Sequence, residues 1–157
     1  MRPEGIATQG SDQIDPYDLQ RFLAAQKDSY ATALSELRRG RKTSHWMWFI
    51  FPQVRGLGRS PIAQHYALAS LDEARAYLAH ATLGQRLRDS VGAMQDLPHG
   101  QSAAAVLGDV DAVKFRSSLT LFEAAGGGPL FGAALDRWFD GARDETTLTI
   151  LAGDIGF

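Results

Sequence analysis

Apolar positions along the chain recur at spacings of three and four residues, a period that predicts helices. The clearest case opens at Asp15, a capping residue, followed by Pro16 at a first helical position and Asp18 near the positive end of the helix dipole. Leu19, Phe22, Leu23, Gln26, Tyr30, Leu34 and Leu37 then form one stripe with a polar interruption, and Arg38, Arg39 and Gly40 supply the stop. A single helix from Asp15 to Arg39 is expected. Ser60 before Pro61 marks a second start, Ser70 with Glu73 and Thr82 with Gln85 have capping-box spacing, and Ser102 and Asp109 are further caps. Gly126, Gly127 and Gly128 break the chain. Pro129 restarts it with Phe131, Leu135, Trp138 and Phe139 on one face, and a last short helix follows Asp144.

Alternation at period two is weak throughout. The expected fold class is therefore all-α, a compact single-domain bundle of several short helices rather than a regular four-helix bundle. Residues 1–14 read as a flexible N-terminal tail, 15–152 as the helical domain and 153–157 as a C-terminal tail.

Composition narrows the functional classes. With 157 residues, 45% hydrophobic and 22% charged, the chain suits one globular domain. Its net charge of -2 provides no global field for nucleic acid or acidic membranes, so nucleic-acid binding is not expected. No cysteine is present, which excludes disulfides, thiolate zinc sites and cysteine nucleophiles. No signal-like apolar stretch precedes Ser11, and the run from Trp46 to Pro52 is far short of the ~20 residues that cross a bilayer. A cytoplasmic location is the expectation.

Three segments carry candidate chemistry. Lys42 to Gln53 sets Trp46 and Trp48 beside Lys42, His45 and Gln53; rings next to a few donors suit an organic-ligand pocket, while the plain alternative is core with His45 at its rim. Arg55-Gly56-Leu57-Gly58-Arg59-Ser60-Pro61 runs a glycine turn into a helix start between arginines, the recipe for a phosphate or carboxylate site; it matches neither phosphate-loop signature, and a tight turn with solvated arginines is the competing reading. Lys114, Ser117, Ser118 and Leu121 share one side of a helix, so they would line a cavity or, with Lys114 buried, form a serine–lysine dyad; close helix packing is the alternative. His65, His80 and His99 show no metal-ligand spacing, Asp136, Asp140, Asp144 and Glu145 read as a solvated acidic face, and neither metal nor cofactor is implied.

From Gly40 through Gln53 (GRKTSHWMWFIFPQ), and again at Gly56 to Ser60 and Lys114 to Phe122, the chain resembles the uncharacterised DUF1810 family. The resemblance implies an all-helical fold and no assigned activity. Some members bear a calpastatin label, which nothing in a folded domain of this kind supports. A fainter likeness of size and composition links it to the NADAR-type proteins, small helical domains associated with cleavage of ADP-ribose N-glycosidic bonds.

The leading expectation joins the three segments around one hollow. Trp46 and Trp48 would form walls, His45, Gln53 and Lys114 would orient polar groups, Arg55, Gly58, Arg59 and Ser60 would take a phosphate, and Lys42, Ser117 and Ser118 would line the site. The ligand would be a phosphate-bearing, nucleotide-like compound related to ADP-ribose or NAD, with His45 and Lys114 as catalytic groups if it is hydrolysed. The rival is a non-catalytic protein-interaction module, partner unknown, using an exposed Trp/Arg patch.

Overall fold

The computed structural model describes residues 15–156, so the expectation for 1–14 lies outside the described residues. Among the described residues ten helices follow one another: α1 (Gln20–Lys27), α2 (Tyr30–Arg39), α3 (Met47–Ile50), α4 (Pro61–His65), α5 (Leu71–Ala79), α6 (Ala81–Gln95), α7 (Ala103–Leu107), α8 (Asp109–Ala124), α9 (Pro129–Phe139) and α10 (Glu145–Gly156). No strand forms among the described residues; one isolated bridge pairs Val54 with Leu68. The fold is an all-α, compact single domain.

Two long helices organise the rest. α8 packs against α5, α7, α9 and α10, and α6 packs against α2, α3, α5 and α9. Phe115, Leu119 and Phe122 of α8 and Leu83, Leu87, Val91 and Met94 of α6 are buried at this centre. A run of rings crosses it: Phe22 meets Tyr77 edge-on at 5.1 Å, Tyr77 meets Phe122 at 5.5 Å, and Phe122 meets Phe131 at 5.9 Å. Each fully buried Phe contributes about 1.5–3 kcal/mol. The polar interruption of the first stripe, Gln26, is buried in the same core. Its amide donates to the Phe49 carbonyl at 2.7 Å and to the Tyr77 hydroxyl at 3.1 Å, while Arg86 donates to its oxygen at 3.3 Å.

Local signals place most helix starts where the sequence sets them. Ser60, Ser70 and Ser102 each accept the backbone N–H three residues on, and Gly40 ends α2 in the left-handed conformation at φ 75°. Two starts differ. The first helix begins at Gln20, because Asp18 turns left-handed at φ 52° and the Asp15 carboxylate reaches across that turn to the N–H groups of Leu19 and Gln20. The same stripe breaks into two helices at Asp28 and Ser29, where the Ser29 hydroxyl bonds back to the Ala25 carbonyl and the Ser29 N–H turns to Gln26. The other difference is His80, which rather than Thr82 caps α6: its Nδ1 accepts the N–H groups of Thr82 and Leu83, both at 3.2 Å. Accepting there places the ring proton of the neutral imidazole on Nε2.

Candidate functional site

The tryptophan segment is positioned from beneath by a buried acid, Glu36 of α2. Its carboxylate accepts the N–H of Thr43 at 2.7 Å, the N–H of Ser44 at 3.0 Å, the Ser44 hydroxyl at 2.5 Å and the Trp46 indole N–H at 2.9 Å. Burial alone pushes its pKa up, but the bonds from Ser44, Thr43 and Trp46 outweigh it and hold the carboxyl down at about 2. Glu36 therefore remains charged, and four donors curl the backbone of 43–46 around it. The main chain of the segment is tied on its other flank by the Lys42 N–H, which donates to the Val106 carbonyl of α7 at 2.8 Å. α8 begins three residues beyond Val106.

This anchoring brings the first and third candidate segments together. Lys42 Nζ lies 2.8 Å from Asp111 Oδ2, and Lys114 Nζ lies 3.5 Å from Asp111 Oδ1. Each ammonium also sits over an indole, Lys42 over Trp46 at 4.9 Å and Lys114 over Trp48 at 5.0 Å. The Lys42 side chain is 7% exposed and that of Lys114 is 23%. Two ammonium groups thus share one carboxylate at a partly exposed surface beside the half-buried Trp48, while the charged Glu36 lies behind Ser44 and Trp46; His45 is exposed. Of the expected site residues, Lys42, Trp46, Trp48 and Lys114 come together here.

Other expected residues are placed differently. Trp46 is 1% exposed and its N–H is engaged by Glu36, so it is core and backs the site without walling a cavity. Ser117 and Ser118 are buried: the Ser117 hydroxyl donates to the Val113 carbonyl and to Asp144, and that of Ser118 has no partner. No hydrogen bond joins Lys114 to either serine, because Lys114 turns towards Asp111 one turn earlier, and the serine–lysine dyad is not formed. Asp144 is not on a solvated face; it is 8% exposed and caps α10, accepting from Ser117, Thr147 N–H and the Thr147 hydroxyl.

The glycine–arginine segment does not join the lysines. Gly58, Arg59 and Ser60 are exposed, and the N–H of Ala63, which an anion at this helix start would need, is already taken by the Ser60 hydroxyl. Gln53 is half-buried, and its carbonyl accepts the Leu68 N–H at 2.9 Å. Arg55 instead lines a cavity of about 400 Å³ with Tyr17, Asp18, Arg21, His65 and Glu73. A larger depression, about 670 Å³, opens at the start of α10 between Arg116, Arg143, Asp144, Glu145, Thr146 and Leu148. Arg143 there forks onto Glu123 at 2.8 and 2.5 Å, and the bonds from Arg143 hold the Glu123 carboxyl below its ordinary range against the opposing effect of burial. Acids and bases balance in this depression, and no expected residue lines it.

Sequence reading missed Glu36 and Asp111. The Asp-x-x-Lys spacing of Asp111 and Lys114 was a visible signal for an ion pair across one helical turn. Glu36 had none, since its donors lie seven to ten residues away around a helix stop.

The fold is similar to that of the conserved hypothetical protein Rv1873 from Mycobacterium tuberculosis, whose crystal structure matches with a TM-score of 0.86 and 45% sequence identity over 88% of this chain and 99% of that one. No curated protein matches the chain. Among the described residues no helix is long and apolar enough to cross a membrane, and no group of three or more His, Cys, Asp or Glu residues is arranged to hold a metal ion. The model of the DUF1810 family, described as a protein of unknown function, matches residues 16–151, and the chain belongs to that family.

Proposed function

We propose that this protein is a cytoplasmic small-ligand domain that binds a phosphate-bearing, nucleotide-like compound of the ADP-ribose or NAD class at the Lys42–Lys114 site. The observation that carries the reading is the convergence of two ammonium groups from distant parts of the chain on one carboxylate, beside two indoles. Two ammonium groups held close together at a partly desolvated surface attract a multiply charged anion more strongly than they would in open water. Trp48, half-buried at the rim, would supply apolar area for the organic part of the ligand. For hydrolysis at a bond next to the phosphate, the imidazole of His45 is the group that would transfer the proton. Arg55, Gly58, Arg59 and Ser60 have no part in this site.

Calorimetric titration with ADP-ribose, NAD and ADP tests the reading. Binding is expected in wild type and is lost or weakened about tenfold or more in Lys42→Ala and Lys114→Ala. Silent titrations with all three compounds, or binding indifferent to both substitutions, would overturn it.

A second reading, a non-catalytic interaction module, is favoured by Val110 and Val113, which stand 69% and 56% exposed one turn apart on α8, next to Lys114. On that reading, Val110→Asp with Val113→Asp abolishes capture of a protein partner and leaves nucleotide titrations unchanged. Capture that survives both substitutions would remove it.

A further inference from the structure

The proposed anion site already holds a carboxylate, one supplied by the chain itself. Each oxygen of Asp111 faces one ammonium, at 2.8 Å from Lys42 and 3.5 Å from Lys114, and the side chain keeps 19% exposure at its solvent edge. Asp111 stands in the first turn of α8, and its partial exposure gives the carboxylate direct access to solvent. Being tethered, it competes at an effective concentration on the order of millimolar or above. A singly charged small anion that displaced it would exchange one charge for one and lose its own translational freedom, with no gain in ion pairing. A pyrophosphate brings two charges to two ammoniums and neutralises both, which the single carboxylate cannot do.

Resting on the ligand reading above, we infer that Asp111 is an autoinhibitory occupant of the Lys42–Lys114 site. In the empty protein its carboxylate takes the place of the ligand's anionic group. A ligand binds by displacing it, so solvent monoanions are excluded and pyrophosphate-bearing compounds are admitted. The carboxylate of Glu36 has no such role, because its oxygens are held by Thr43, Ser44 and Trp46.

The test is calorimetric titration of the full chain with ADP-ribose, in wild type, Asp111→Asn and Asp111→Ala, each with and without added chloride. Both substitutions are expected to tighten ADP-ribose binding by about tenfold or more, and chloride should compete in the variants while leaving wild type unaffected. The triple variant Asp111→Asn with Lys42→Ala and Lys114→Ala should lose the gain. Weaker or unchanged ADP-ribose binding in both Asp111 variants, with wild-type binding intact and dependent on the lysines, would overturn the inference and leave the ligand reading standing. Silence in wild type and in both Asp111 variants would remove the ligand reading and the inference with it.

Discussion

Glu36 and Trp46, ten residues apart across the end of a helix, are joined by a 2.9 Å bond from the indole N–H to the carboxylate. This bond closes the loop that carries Lys42 to the start of α8, so an acid that bonds neither lysine helps to set where the site's first lysine stands. A buried carboxylate with four donors is stabilised chiefly in its ionised form.

Acid titration measures that stabilisation. The folded-state pKa of Glu36 is lowered from 4.5 to about 2, so its contribution is fully present above pH 4.5 and is lost as pH falls through about 2. The size of the shift corresponds to about 3 kcal/mol. Urea unfolding followed by tryptophan fluorescence should show stability falling across this window in wild type. Glu36→Gln should be less stable at pH 7 by about 2–3 kcal/mol and should lack that part of the slope. An unchanged slope in the variant would mean that another acid carries it.

The two lysines are unequal. Lys42 is nearly buried, bonds the Ser44 carbonyl at 2.5 Å as well as Asp111, and covers Trp46. Lys114 is partly solvated and pairs with Asp111 across one helical turn. Lys42→Ala is therefore expected to destabilise the fold by about 2 kcal/mol, and Lys114→Ala by less than about 1 kcal/mol. Chemical denaturation of both variants gives the comparison directly; equal losses would show that burial of Lys42 contributes nothing.

Arg21 uses all five of its N–H donors inside the protein. Nε donates to the His65 carbonyl at 2.9 Å, Nη1 to Tyr17 and Asp18 at 2.5 and 2.8 Å, and Nη2 to Ala67 and Glu73 at 3.0 and 2.9 Å. It clamps the left-handed turn before α1 onto the segment after α4. A lysine has three donors on one nitrogen and cannot span these acceptors. Arg21→Lys should thus destabilise by about 2–4 kcal/mol despite keeping the charge. A melting temperature within a degree of wild type would show that water replaces the clamp without loss.

Much of the fold was legible because its determinants are local. Ser60 with Pro61, Ser70 with Glu73 and the stop at Gly40 act within one helical turn, and each lies where the sequence places it. The break at Asp28 and Ser29 was not legible, because the apolar stripe continues across it: Tyr30, Leu34 and Leu37 remain in phase with Phe22 and Gln26. At the site, Lys42, Trp48 and Lys114 were identified by type, and their meeting depends on a backbone bond from Lys42 to Val106, sixty-four residues away in the chain. Gly58, Arg59 and Ser60 had the right composition for a phosphate, yet Ser60 satisfies the helix start itself. Sequence patterns report such recipes equally well whether the donors are free or already bonded.

Two glycines of α6 separate packing from propensity. A Cβ on Gly84 would press into the backbone carbonyl of Leu78, lying 2.9 Å from its carbon and closer still to its oxygen, whereas a Cβ on Gly92 would meet nothing within 4 Å. Both residues sit inside the helix, where alanine is intrinsically favoured by about 1 kcal/mol. At Gly92 that preference is unopposed, and Gly92→Ala should stabilise by about 0.5–1 kcal/mol. At Gly84 the α5–α6 corner must open, because the obstructing atoms are main chain held against His80 and α6, and the strain exceeds the propensity gain. Gly84→Ala should destabilise by about 2 kcal/mol or more. Thermal unfolding of the pair should therefore move in opposite directions, and shifts of the same sign would show that the approach of α6 to Leu78 is not a constraint on the fold.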